Sequence, residues 1–240
     1  MNYVGILAGG KGTRMGKIDL PKQFLMLGTK PVIVHTIEQF VLCEEVDQVI
    51  VAVPEAWLSY TEDIVEKYLS HLDNVHITAG GADRNGSLMN ICTYIEKNYG
   101  ITEQDILVSH DAVRPFVTDR IIKDNIKGTK EHDAIDTVIP ATDTIVESLD
   151  GFVISNIPNR NNMYQGQTPQ SFKITKLVEV YNSLTDEEKA ILTDACKIFT
   201  IKGLDVGIVS GEPYNMKITN QFDYKLAGFM VEKGEDTSDK

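Results

Sequence analysis

From residue 3 onward the chain alternates short apolar runs with amphipathic stretches, and few folds accommodate that order. The runs at residues 3–7, 48–53, 75–78, 106–109 and 134–139 are of strand length, rich in β-branched residues and closed by Gly, Pro or polar residues. Helix-period segments fill the gaps. Pro31 opens one, with Ile33, Ile37, Phe40 and Val41 along one face, and residues 58–69 and 88–95 repeat the spacing. Thr118 and Thr185 stand as helix N-caps, Thr185 with Glu188 in a capping box. Strands that are apolar throughout and separated by helices need cover on both faces, which predicts an α/β fold with a mostly parallel sheet flanked by helices. At 240 residues the chain suits one such domain and is short for two. We expect a single domain over residues 1–231, with the polar residues 232–240 as a disordered tail.

One segment departs from the alternation. Residues 144–149 and 152–157 are two β-branched stretches around Asp150-Gly151, the sequence of a tight hairpin turn. A two-stranded ribbon is marginal alone. The inserted β-hairpin, at about residues 142–163, is therefore expected to pack on something, as an edge extension or as an arm reaching another subunit.

Composition narrows the partners. With 35 acidic against 23 basic side chains the formal charge is -12, which repels nucleic acid and acidic membrane surfaces. Neither partner is expected, and an anionic ligand needs a local basic cluster. Cys43, Cys92 and Cys196 lie far apart without metal-finger spacing and suit a reduced interior. No basic residue precedes the first apolar stretch, and no apolar run reaches the roughly 18 residues of a membrane span. The chain reads as soluble, untargeted and cytoplasmic.

The basic cluster follows the first strand, in Leu7-Ala8-Gly9-Gly10-Lys11-Gly12-Thr13-Arg14-Met15-Gly16, then Leu20-Pro21-Lys22-Gln23-Phe24. A P-loop fails here, because Gly12 replaces the hydroxyl residue that holds magnesium and Gly5 sits inside the strand. A dinucleotide fingerprint fails because Met15 stands where its third glycine belongs. What remains is a loop of small residues whose amides can approach a polyphosphate, with Lys11, Arg14, Lys17 and Lys22 opposed only by Asp19. A solvated turn needs the glycines but not the cations.

Two further stretches carry chemistry. In Gly80-Gly81-Ala82-Asp83-Arg84-Asn85-Gly86-Ser87, Ser87 is either a helix cap or a nucleotide ligand. In His110-Asp111-Ala112-Val113-Arg114-Pro115-Phe116, Asp111 and Arg114 fall just past a strand's carboxyl end, where open α/β sheets collect ligands. A carboxylate beside a triphosphate makes sense mainly through Mg²⁺; the alternative is a structural ion pair. His110 reads as an ordinary packed histidine.

Gly9-Gly10-Lys11-Gly12-Thr13-Arg14-Met15 with Pro21-Lys22-Gln23 resembles the signature of the polyol-phosphate cytidylyltransferases, which act on 2-C-methyl-D-erythritol 4-phosphate or ribitol 5-phosphate. Further matches run from residue 4 to about residue 230. The resemblance implies a Rossmann-like nucleotidyltransferase fold, CTP as co-substrate and a divalent cation, Mg²⁺, at Asp111. It places Leu7, Ala8, Gly9, Gly10, Lys11, Gly12, Gly81, Ala82, Ser87 and Asp111 around the nucleotide, and makes Arg14, Lys22 and Lys217 catalytic. Arg114, Thr144, Arg160, Thr168 and Thr193 would hold the polyol phosphate, Arg160 coming from the arm of the other subunit in a homodimer.

The chemistry needs no protein base. No nucleophile-base constellation can be read from the spacing, and a phosphomonoester with a second pKa near 6 is already ionised at neutral pH. The stretches Thr193-Asp194-Ala195-Cys196-Lys197 and Tyr164-Gln165-Gly166-Gln167-Thr168-Pro169-Gln170 are more similar to the ribitol-phosphate enzymes. The expected reaction therefore moves the cytidylyl group of CTP to D-ribitol 5-phosphate, giving CDP-ribitol for teichoic acid or capsule polymers. Methylerythritol phosphate, for isoprenoid synthesis, is the alternative acceptor. A non-catalytic nucleotide-binding protein would need few of Arg14, Lys22, Asp111 and Lys217. A sugar-1-phosphate nucleotidyltransferase would carry Leu-x-Pro-Leu-Thr where Met15-Gly16-Lys17-Ile18-Asp19 stands.

Overall fold

A computed structural model describes residues 1–10 and 20–235. The chain opens with β1 (Asn2–Leu7), passes the short pair β2 (Met26–Leu27) and β3 (Lys30–Pro31), and enters α1 (Val32–Val41) behind Pro31. The alternation then runs as expected through β4 (Gln48–Val53), α2 (Leu58–Leu69), β5 (Val75–Ala79), α3 (Arg84–Tyr99), β6 (Ile106–Asp111), α4 (Asp119–Gly128) and β7 (Ala134–Pro140). After the arm come β8 (Tyr164–Lys173), α5 (Ile174–Asn182), α6 (Asp186–Ala190), α7 (Lys197–Thr200), β9 (Gly207–Ser210) and α8 (Gln221–Glu235). Thr118 caps α4, and Thr185 with Glu188 forms the capping box of α6.

Seven strands make one sheet in the order β5-β4-β1-β6-β8-β7-β9, parallel except for β8, which is antiparallel to both β6 and β7. Alternate residues of the parallel strands are buried on opposite faces. Val4, Ile6, Val49, Val51 and Val108 pack with Ile33, Phe40 and Ile121 from α1 and α4. Tyr3, Ile50, Leu107 and Phe172 pack with Ile91, Leu177 and Phe199 from α3, α5 and α7. Gly5 lets α3 come close, since a Cβ there would lie 3.0 Å from the Ile91 side chain. From β1 the chain goes to β4 and β5 on one side and returns to β6 on the other. The loops after β1 and β6 therefore flank a crevice at their carboxyl ends.

The sequence reading omitted β8 and the short β9. β8 is Tyr-Gln-Gly-Gln-Thr-Pro-Gln-Ser-Phe-Lys, too polar and too proline-bearing for a central strand. It is accommodated by an irregularity: between the pairs Asp136–Gln170 and Val138–Gly166, residues 167–169 stand opposite Thr137 alone. The Thr137 hydroxyl donates to the Pro169 carbonyl at 2.6 Å, and the Asn125 amide donates to Thr137 at 2.8 Å. Asn125 in turn accepts from the Ser171 hydroxyl at 3.0 Å, so one buried side chain of α4 ties down both edges of the irregular strand.

The hairpin and the start of the tail differ from expectation, and one of the two alternatives left open for Ser87 falls away. The hairpin strands over 144–149 and 152–157 do not form; the ribbon is reduced to one antiparallel bridge, Glu147 with Asn156. The reversal falls where expected, with Gly151 at φ 77° and Asp150 Oδ1 accepting from the Phe152 and Val153 amides. Among the described residues nothing covers the flanks: Phe152 is 94% and Leu149 86% exposed. Ser87 is not a cap. Asp83 caps α3, accepting from the Gly86 amide, while Ser87 lies in the first turn. α8 continues to Glu235, beyond the expected start of the tail at 232, whose last residues lie outside those described.

Replacing Asn125 by Leu keeps the volume and removes the bonds to Thr137 and Ser171, leaving both hydroxyls without this partner. Urea unfolding should show a loss of about 2–3 kcal/mol with unchanged m-value. A loss under about 0.5 kcal/mol would mean that the network does not hold the irregular strand.

Candidate active site

The crevice holds a cleft of about 440 Å³, of the size small-molecule sites have. Leu7, Ala8, Gly9, Gly10, Lys22, Gly81, Ala82, Ser87, Asp111 and Lys217, each singled out in the sequence, line it together with Arg84. Lys11, Gly12 and Arg14 lie outside the described residues.

Local chemistry builds each wall. After β1 the Ala8 amide donates to the Ala52 carbonyl at 2.9 Å, which continues the ladder one residue further. Pro21 starts a 3-10 turn over Lys22–Phe24, whose Gln23 side chain donates to the Ala8 carbonyl at 2.6 Å. This bond links the Pro21-Lys22-Gln23 motif to the glycine loop and places Lys22 against Gly10, where a Cβ would stand 3.8 Å from Lys22 Cε. On the opposite wall a Cβ on Gly81 would fall 2.7 Å from Gly86 Cα, so only glycine fits that approach. The Ser87 hydroxyl accepts from the Gly81 amide at 3.0 Å and donates to the Asp83 carbonyl at 2.9 Å, which pins the loop to α3.

At the end of β6, Asp111 is buried and meets three cations. Arg84 pairs with Oδ1; Arg114 Nε and Lys217 Nζ reach Oδ2 at 3.2 and 3.0 Å. Burial alone would push this carboxyl up, but Arg84, Lys217 and Arg114 hold it well below the usual carboxylate range. The Asp111–Arg114 ion pair is therefore present, and Asp111 also lines the cleft. Lys217 is no lone surface lysine. Asn215, fully buried, donates to the Thr168 carbonyl at 2.8 Å, and its own carbonyl accepts from Arg114 Nη1 at 2.9 Å. The Ile218 amide donates to the Val113 carbonyl at 2.9 Å, so the segment carrying Lys217 is strapped to the β6 loop on both sides.

His110 is packed, as expected, and has a second task. Its Nε2 faces the Arg114 carbonyl at 3.0 Å, and a carbonyl only accepts, so Nε2 carries the proton. Nδ1 then accepts from the Thr168 hydroxyl at 3.0 Å, while Thr168 Oγ1 accepts from the Asp111 amide at 3.2 Å. Burial lowers the His110 pKa to about 3, which keeps the ring neutral. Thr168 therefore lies buried directly behind Asp111. Thr144 and Arg160 are exposed on the arm, where Arg160 donates to the Thr142 carbonyl at 3.0 Å, and Thr193 is exposed before α7. None of these three lines the cleft.

Asp136 is absent from the sequence expectations, and Arg84, Gln170 and Asp194 stand there only within their motifs. Arg84 carried a signal: a cation in the first turn of a helix opposes the helix dipole, and such a residue needs another reason to be there. Gln170 lies below it on β8. Its Nε2 donates to Asp136 Oδ1 at 3.0 Å and to both carboxylate oxygens of Asp194 at 2.9 and 2.8 Å. Asp136, Asp194 and Cys196 could in principle gather a metal ion, but the Gln170 N–H groups already occupy the oxygens such an ion would use. Burial first, and the neighbouring Asp194, raise the Asp136 pKa to about 6. No cysteine lines the cleft, which offers cations, the Asp83 and Asp111 carboxylates and backbone amides, a set whose cations and amides bind and neutralise phosphate.

The family described as "IspD: 2-C-methyl-D-erythritol 4-phosphate cytidylyltransferase" matches residues 3–233. A ribitol-5-phosphate cytidylyltransferase of Lactiplantibacillus plantarum is 53% identical over 97% of this chain and 99% of its own. One of Streptococcus pneumoniae serotype 2 is 54% identical over 97% of this chain and 100% of its own. Among solved structures, the 4-diphosphocytidyl-2C-methyl-D-erythritol synthase of Anaerococcus prevotii superposes with a TM-score of 0.78 at 26% identity, covering 96% of each chain. The 2-C-methyl-D-erythritol 4-phosphate cytidylyltransferase of Thermus thermophilus, at 22% identity and a TM-score of 0.72, shares the fold over 97% of this chain and all of its own.

The raised Asp136 carboxyl carries a stability signature. The folded state holds its proton more tightly than the unfolded chain does, so this contribution is present below pH 4 and is lost as pH rises through 6. Asp136→Asn keeps an acceptor for Gln170 and removes the titration. Its stability relative to wild type should rise by up to about 3 kcal/mol between pH 4 and pH 7 in denaturant unfolding; a constant difference would contradict the assignment.

Proposed function

The chain belongs to the 2-C-methyl-D-erythritol 4-phosphate cytidylyltransferase family, and within that family we propose that it transfers the cytidylyl group of CTP to D-ribitol 5-phosphate. The products are CDP-ribitol and pyrophosphate. The observation that carries the choice of acceptor is the 53–54% identity, over nearly the whole chain, to enzymes named for ribitol 5-phosphate. The solved methylerythritol enzymes, by contrast, stand at 22–26%.

The cleft supplies what this reaction asks of a protein. An oxygen of the acceptor phosphate bonds to the α-phosphorus of CTP, the bond from that phosphorus to the bridging oxygen breaks, and pyrophosphate leaves. No base is needed, because the attacking oxygen is already ionised at neutral pH. The difficulty is repulsion between anions, which Lys22 and Lys217 on the cleft wall relieve, joined by Arg14 as a catalytic cation and Lys11 as a nucleotide ligand, both outside the described residues. Gly9, Gly10 and Gly81 leave room for backbone amides to approach the nucleotide. Mg²⁺ favours one or two carboxylates beside substrate phosphates, and Asp111 is the carboxylate on the cleft wall that would hold it, the ion taking over an oxygen that Arg84 or Lys217 now occupies. When bound there, the ion would add positive charge to the phosphates.

The acceptor side draws on the arm. Thr168 and Arg114 stand behind Asp111, whereas Thr144, Arg160 and Thr193 are exposed. The apolar residues of the arm, Leu149, Phe152, Val153 and Ile154, are exposed together, which suits burial against a second copy of the chain. In that homodimer Arg160 and Thr144 serve the other subunit's site, and residues 1–231 act as one nucleotidyltransferase domain carrying its arm at 142–163. Free cysteines, and the absence among the described residues of a helix able to cross a membrane, fit a cytoplasmic enzyme. Its product would feed teichoic acid or capsule polymers.

The test is pyrophosphate release from CTP and Mg²⁺ with each acceptor separately. Turnover with ribitol 5-phosphate alone is expected; turnover with 2-C-methyl-D-erythritol 4-phosphate alone would overturn the acceptor assignment and leave the cleft's roles in place. Lys22→Ala and Arg160→Ala should each lower kcat by about 10²-fold or more. Mixed after co-expression, these two variants should recover about a quarter of wild-type activity, because half the dimers then hold one complete site. No recovery would place Arg160 in its own subunit's site, and an Arg160→Ala variant that is active by itself would place it outside catalysis.

A further inference from the structure

We infer that Gln170 is a positioning residue: clamped at its amide nitrogen by Asp136 and Asp194, it aims its amide oxygen at Arg84 and so fixes that guanidinium on Asp111 at the nucleotide cleft. The inference rests on the assignment of the cleft to CTP.

The orientation of the Gln170 amide is determined by its surroundings. Asp136 Oδ1 and both oxygens of Asp194 lie 2.8–3.0 Å from Nε2, and ionised carboxylates accept hydrogen bonds without donating any. Turning the amide over would set its oxygen against three carboxylate oxygens. Oε1 must therefore point the other way, where Arg84 Nη2 stands 3.5 Å off. Gln170 is fully buried, so water does not compete for either end.

Arg84 needs this second anchor. It sits in the first turn of α3, where the helix dipole disfavours a cation, and its side chain is 26% exposed at the cleft. Held by Asp111 alone, the guanidinium could pivot about one contact. Held also by Gln170, its plane is set by two partners on adjacent strands, β6 and β8, whose register puts Ser109 opposite Gln170 and Asp111 two residues further along. The acid pair thus acts at a distance. Asp136 and Asp194 do not line the cleft, yet through one amide they decide where a cleft cation stands.

The test is a double-mutant cycle read as CTP affinity in the presence of Mg²⁺, by calorimetry and without acceptor, on Gln170→Met, Arg84→Gln and the pair. Each single change should weaken CTP binding about 10-fold or more, the scale for losing a hydrogen bond to a charged group. The pair should be no weaker than Arg84→Gln alone, because Gln170 works through Arg84. Multiplied effects in the pair, or wild-type affinity in Gln170→Met, would reduce Gln170 to a packing role and overturn the inference. If Gln170→Met does not fold, Asp136→Asn with Asp194→Asn frees the amide to turn over, and the same absence of a further effect is expected in the Arg84→Gln background. Failure of turnover with ribitol 5-phosphate would strike the acceptor assignment and leave this cycle readable.

Discussion

A single buried carboxylate with three cations around it organises this molecule. Asp111 is out of water, and its ionised state is tolerable only because Arg84, Arg114 and Lys217 converge on it. Those cations come from three separate parts of the chain: the start of α3, the loop after β6 and the segment before α8. Each needs its own support, which the fold provides through the Asp83 cap, the His110–Thr168 contact and the Asn215 strap. Parallel strands set the frame, because the crevice between the ends of β1 and β6 is where all three can meet.

The sheet divides into two chemistries along its length. Across β4, β1 and the start of β6 it is apolar on both faces and behaves as scaffold, presenting glycine loops at its edge. At β8 the sequence turns polar inside the sheet: Gln167, Thr168, Gln170 and Ser171 are all buried and all hydrogen-bonded. A polar strand in such a place contributes little apolar burial and must be held by specific bonds, which Asn125 and Thr137 supply.

What could be read from the sequence follows from this division. The apolar strands were legible because burial on both faces leaves β-branched runs of strand length, and the nucleotide wall because small residues and cations cluster within a few positions of one strand end. β8 was illegible as a strand, since its buried side chains are bonded rather than apolar and its proline contradicts a central position. Asp136, Gln170 and Asp194 meet only across strands and loops far apart in sequence, so no local pattern announces them, and Arg84 shows itself only as a cation in the first turn of α3. The arm was half legible: Asp150-Gly151 marks the reversal, but strand-forming residues make strands only where something covers them, and here the flanks are bare.

The cation ring in the cleft sits in a chain whose formal charge is -12. An approaching nucleoside triphosphate therefore meets two fields of opposite sign, a diffuse repulsive one from the surface as a whole and an attractive one confined to the cleft. At physiological ionic strength the Debye length is about 8 Å, and exposed charges are screened more than partly buried ones, so salt weakens the outer field before the inner one. Encounter is then a sieve for polyanion size: a compact triphosphate can shed the repulsion once inside, whereas a long polyphosphate or nucleic acid strand always leaves part of itself in the unfavourable field.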